Sequence, residues 1–185
     1  MVAGDQQTGS YRPLALIGLA VSGIVMGAVL GAVTNGINGW LSPLHFRNTL
    51  HWNDVENVWR ASVAQGIFEG LLFGFFLALV FTIVVGVVSR ARCSYGFGFA
   101  TLMFVAIAAL VCWVVGGSLG MGLAALSPEF FRHAFVGVPK ESGEMLCYAW
   151  AGGSILGIKF GGFAATILGS FLFYAKWHRQ AKSAA

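Results

Sequence analysis

Two ionisable side chains lie inside otherwise uncharged apolar runs: Glu69 within residues 63–88 and Lys159 within residues 149–174. A charge inside a membrane span costs about 2.5–3.5 kcal/mol at its centre on insertion scales, so each is a functional candidate by default. Counted from the start of their runs at 1.5 Å per residue, they stand about 9 Å and 15 Å deep. Both depths fall in the same half of the membrane, and the charges are opposite. They can pair, because the long lysine stem can rise toward a shallower carboxylate. Alternatively each meets another subunit or a lipid headgroup, or the two belong to a proton or ion relay. A relay needs further polar groups at depth, and the apolar runs offer Gln65, Thr82, Ser118, Ser154 and Thr166.

Other chemistry is sparse. His45, His51, Asp54 and Glu56 cluster in one loop. They lack an established ligand spacing, so solvated loop residues explain them more simply than a metal site. No histidine lies well inside an apolar run, which excludes an intrachain bis-histidine haem. The chain carries no G-x-S-x-G, Walker or H-E-x-x-H motif. Cys93, Cys112 and Cys147 are far apart and contain no C-x-x-C pair, so neither a redox dithiol nor a cysteine zinc site is expected. A buried, inert thiol is the expectation for Cys112. The reading is of a non-enzymatic protein with no cofactor and no metal.

The elements that must position Glu69 and Lys159 follow from composition. Of 185 residues, 57% are hydrophobic and 10% charged, and the mean hydropathy is +0.78. A soluble domain carries about 25% charged residues to cover its surface. So apolar a chain is expected to be an all-α integral membrane protein in contact with the lipid bilayer and not with nucleic acid. A spanning helix needs roughly 20 mostly apolar residues. Four such spans are expected, at residues 14–33, 63–88, within 96–126, and 149–174. The first is too long for a signal-peptide core and has one basic residue before it, so it is expected to be retained.

Four spans put both termini on one side. That side holds Arg12, Arg90, Arg92, Lys176, Arg179 and Lys182, and the loops opposite hold Arg47, Arg60, Arg132 and Lys140. The bias, with Arg90 and Arg92 in a short link, predicts cytoplasmic termini by the positive-inside rule. A bacterial inner membrane is the expected location.

The chain also repeats itself. L-S-P-L-H-F-R at 41–47 returns as L-S-P-E-F-F-R at 126–132. Ala64, Gly66, Gly70, Phe73, Gly74, Phe76 and Ala78 find matches in Ala151, Gly153, Gly157, Phe160, Gly161, Phe163 and Ala165. Two parallel helical-hairpin repeats are therefore expected over 14–92 and 93–176, with cytoplasmic tails at 1–13 and 177–185. Proline restricts the residue before it, so each helix reaching L-S-P should stop or turn there. Trp52, Val55 and Trp59 share one helical face, which predicts a short interfacial helix over 50–60.

Small residues recur every four positions in each span. Gly23, Gly27 and Gly31 mark the first and Gly66, Gly70 and Gly74 the second. Gly116 and Gly120 mark the third, and Gly153, Gly157 and Gly161 the fourth. Positions four apart share a face, where small residues let backbones approach closely. Such ladders predict tight helix packing, within the chain or with a second one. Glu69 stands about 100° from the ladder at Gly70 and Lys159 about 200° from Gly157, directions that diverge if the ladders point to the bundle axis. The leading functional expectation is a self-associating bundle or a small subunit of a larger membrane complex, as a homo-oligomer or with other subunits. The alternative is a small transporter or channel using Glu69 and Lys159.

Overall fold

The computed structural model describes residues 12–183, which form six helices. The tail expected over 1–13 lies outside the described residues except for Arg12 and Pro13, as do the last two residues. Four helices are long and apolar enough to cross a membrane: α1 (Pro13–Leu41), α3 (Val58–Ser89), α4 (Tyr95–Leu126) and α6 (Ser142–Ser183). Two short helices, α2 (Pro43–Leu50) and α5 (Pro128–Ala134), follow α1 and α4. Four apolar spans make this a membrane-embedded protein, with lipid around it.

The L-S-P motifs do what proline chemistry requires. Ser42 and Ser127, each preceding a proline, leave the helical region with φ near −141° and −145°. Pro43 and Pro128 then occupy the first turn of α2 and α5, where a missing N–H costs nothing. Both long helices thus end in a bend, and a short helix lies across the end of the bundle.

Two expectations need correction. The first span does not stop at Val33, because α1 continues through Thr34, Asn35 and Asn38 to Leu41. These polar residues end no helix; they are buried against the rest of the molecule. The short end helix spans 43–50 rather than 50–60. His51 adopts the left-handed conformation and closes α2, and the Asn57 side chain accepts from the Arg60 N–H to cap α3. Trp52 lies in the irregular segment between them and stacks on Phe46, while Trp59 belongs to α3.

The long helices pack as two antiparallel pairs, α1 with α3 and α4 with α6, and the pairs then meet more lightly through α3–α6 and α1–α4. Within each pair the backbones nearly touch. A Cβ added at Gly27 would stand 2.5 Å from the Gly70 carbonyl oxygen and 2.7 Å from the Gly74 Cα. One added at Gly116 would stand 2.5 Å from the Gly153 carbonyl oxygen and 2.7 Å from the Gly157 Cα. Gly31 abuts Gly66, Gly120 abuts Ala149 and Gly153, Gly23 faces Ala78, and Gly161 faces Cys112. At the Gly27–Gly70 and Gly116–Gly153 crossings even a methyl would collide with facing backbone, and the gain is close dispersion contact between helices.

At the end of the bundle nearest the termini all four long helices share one core. Leu19, Phe81, Val85, Leu102, Phe173 and Trp177 are buried there, with Phe173 and Trp177 stacked. At the opposite end, capped by α2 and α5, a smaller cluster holds Phe131, Met145, Tyr148 and Ala149 against Leu44.

Candidate functional site

Between the shared core and the capped end, the two helix pairs do not close on one another. They leave a cleft of about 120 Å³, walled by α1 and α3 on one side and α4 and α6 on the other. A cavity needs on the order of 10–15 Å³ by this measure to hold one water, so the space is real rather than a packing defect. Its deep end is apolar, reaching Phe81, Leu102 and Val105; toward the capped end it meets Thr34, Asn35, Glu69 and Lys159.

Glu69 and Lys159 join the two helix pairs at this cleft. Lys159 Nζ lies 3.0 Å from Glu69 Oε2, and Gln65 Nε2 donates to Glu69 Oε1 at 2.8 Å. The lysine side chain is 37% exposed and the glutamate 32%, so neither charge is sealed in protein. The carboxylate therefore has both oxygens engaged, one by a cation and one by an amide. Because the glycine faces of α3 and α6 are turned toward α1 and α4, a residue rotated away from those faces points either to lipid, as Phe68 and Phe160 do, or to the other helix pair, as Glu69 and Lys159 do. That rotation brings the two charges together.

A second cross-link between the pairs lies nearer the capped end. Ser154 Oγ donates to Asn38 Oδ1 at 3.1 Å, with both residues fully buried. The Asn38 amide nitrogen has no partner. Near the terminal end, Ser22 Oγ and Tyr95 Oη are 2.9 Å apart, linking α1 to α4. Thr34, Asn35 and Asn38 escape a hydropathy reading because they look like the polar end of a span. The usable signal is their spacing, which places Thr34 and Asn38 on one face.

The remaining candidates are dispersed. His45 turns from α2 onto the Tyr148 ring, with centroids 4.8 Å apart, and its Nδ1 is buried without a partner. Burial lowers its pKa to about 4, since the imidazolium would be poorly solvated there. Cys93 is buried in the link between α3 and α4, and burial pushes its thiol up to about 11. Cys112 and Cys147 are partly buried, and all three cysteines are unpaired. Among the described residues no three His, Cys, Asp or Glu side chains come together.

No protein family, curated protein or solved structure matches the chain.

Proposed function

We propose that this protein is a small, non-enzymatic membrane carrier. Its two helical hairpins, residues 14–92 and 93–176, arise from a duplication and enclose the cleft between them. The hairpins move against one another around the core near the termini, and the Glu69–Lys159 contact acts as the gate. The observation that carries this reading is the placement of that ion pair: it bridges the two hairpins at the wall of a cleft. Tight backbone contact within each hairpin and lighter contact between them favour motion at that one interface. Rocking of one repeat against another about a shared site is a common transporter device.

A water-filled channel fits less well. Phe81 and Leu102 line the deep end of the cleft with Phe173 packed against Phe81, and an ion descending from Lys159 would meet no polar partner there. An apolar wall of this kind suits an apolar guest better than an ion. The cargo is therefore an apolar or amphiphilic molecule drawn from the membrane.

The competing reading, a self-associating bundle or complex subunit, draws on the glycine ladders, the small outer loops and the lack of catalytic motifs, and the ladders lend it less support than a second chain would need. Those small faces are occupied inside the chain, α1 by α3 and α4 by α6. What remains outward is large apolar side chains such as Val25, Phe76 and Leu168, which lipid covers.

The test is transfer of fluorescent alkyl amphiphiles between leaflets of liposomes holding the purified protein. Transfer of at least one amphiphile is expected, and the Glu69→Gln/Lys159→Met double variant should fold and lose it. Failure to move any of a cationic, an anionic and a zwitterionic probe, with the protein folded and monomeric, would remove the carrier reading.

A further inference from the structure

The cleft is polar at one end and apolar at the other, and its two charges are of opposite sign. We infer that it holds one alkyl chain of a zwitterionic phospholipid, with the headgroup phosphate on Lys159 and the headgroup ammonium on Glu69. This names the cargo class of the carrier proposed above and rests on that reading for its functional meaning.

The apolar part supplies room for a chain. From Glu69 to Phe81 is twelve residues along α3, about 18 Å at the helical rise. Over that distance the walls contributed by α3 and α4 include Phe73, Leu77, Ala78, Leu102, Val105 and Ala106. Thr166 also reaches the cleft, but its hydroxyl proton is given to the Gly162 carbonyl, so it has no donor left for a guest. An alkyl chain needs no hydrogen bonds, and a polar solute would find no side-chain donor along this stretch.

The charges choose the headgroup. Glu69 and Lys159 neutralise each other. A purely anionic ligand would take Lys159 and strand the carboxylate; a purely cationic one would take Glu69 and strand the ammonium. Leaving one charge of such a pair unpaired in a poor solvent costs more than the pair itself is worth. A headgroup with one charge of each sign replaces both halves at once and leaves nothing unpaired. An uncharged headgroup would have only Asn35 and the undisturbed pair to recognise. The side-chain exposure of about a third at each charge means that a headgroup can reach them from the lipid side. The leaflet concerned is the one at the end capped by α2 and α5.

The experiment uses the full chain in phosphatidylglycerol nanodiscs and a phosphatidylethanolamine probe with a photoactivatable diazirine in its acyl chain. Cross-links are expected on Leu77, Phe81, Leu102 and Val105, competed by unlabelled phosphatidylethanolamine but not by added phosphatidylglycerol or a fatty alcohol. Glu69→Gln/Lys159→Met should reduce labelling of these four residues about fivefold or more, the size of one charge-assisted contact, and leave labelling of outward-facing Phe76 unchanged. Ala106→Phe, which fills the chain path and keeps both charges, should do the same. Labels confined to Phe76 and Leu168, or equal competition by phosphatidylglycerol, would overturn the inference. Cleft labelling without leaflet transfer would uphold it and remove the carrier reading. Transfer of alkyl amphiphiles regardless of headgroup would uphold the carrier and overturn the zwitterion.

Discussion

Lys159 Nζ and Glu69 Oε2 stand 3.0 Å apart, one on each helical hairpin, at the wall of the cleft the hairpins enclose. Two charges that would each be costly in a membrane become tolerable by facing one another, and the contact ties together two halves that otherwise meet lightly. If so, breaking one side should be worse than removing both.

Glu69→Gln and Lys159→Met are each expected to destabilise the protein more than the double variant does. The coupling in a double-mutant cycle should be about 1 kcal/mol or more, because either single change leaves the opposite charge unpaired. Unfolding in mild detergent, followed by circular dichroism across a denaturant series, measures it. Additive effects would show that the two charges act separately.

Glycine substitutions should divide by location. Gly27→Ala and Gly116→Ala place a methyl 2.5 Å from a carbonyl oxygen of the facing helix and should cost about 1–3 kcal/mol by overpacking. Gly122→Ala meets nothing within 4 Å and should be neutral or stabilising by up to about 1 kcal/mol, since alanine is the better helix former. Thermal unfolding of the three variants side by side checks this.

How much of this arrangement is legible in the sequence varies with the feature. Long uncharged runs announce the four spans, and Ser42-Pro43 and Ser127-Pro128 announce the bends, because both signals are local. The position of Glu69 and Lys159 in the membrane is also local, but their meeting is not. Taking the glycine faces as the bundle axis makes the two charges diverge; taking them as the seams of two separate hairpins makes them converge. Helical spacing alone does not choose between those alternatives. The meeting of Asn38 with Ser154 is missed for a related reason. Hydropathy ends the first span before Asn38, and only tertiary packing gives a buried asparagine its partner.

The burial of His45 makes stability depend on pH. Its pKa is lowered from 6.5 to about 4, so between those values the unfolded chain binds a proton that the folded chain does not. Stability from this group is fully present above pH 6.5 and falls as the pH drops toward 4, by up to about 3 kcal/mol at one pKa unit per 1.36 kcal/mol. His45→Gln should flatten that part of the stability profile. Melting temperatures in detergent between pH 4 and pH 8 give the comparison, and an unchanged slope in His45→Gln would show that another group is responsible.

We propose cytoplasmic termini on the strength of the basic residues near them, Arg12, Arg90, Arg92, Lys176 and Arg179. In a cysteine-free background, Ser142→Cys should react with an impermeant maleimide from outside the cell, and Ser183→Cys only after the membrane is opened. Labelling of position 142 from the cytoplasmic side would reverse the assignment of cytoplasmic termini.

The most direct measurement of the carrier reading is the distance between hairpins. Spin labels at Val25 and Leu79 report within the first hairpin, and labels at Leu79 and Leu168 report between the two; all three side chains face outward. In lipid nanodiscs, pulsed dipolar spectroscopy should give one narrow distance for the Val25–Leu79 pair under every condition. The Leu79–Leu168 pair should give a broad or double distribution that shifts when Glu69→Gln and Lys159→Met remove the gate. An inter-hairpin distance as narrow and unchanging as the intra-hairpin one would contradict a cleft that opens and closes.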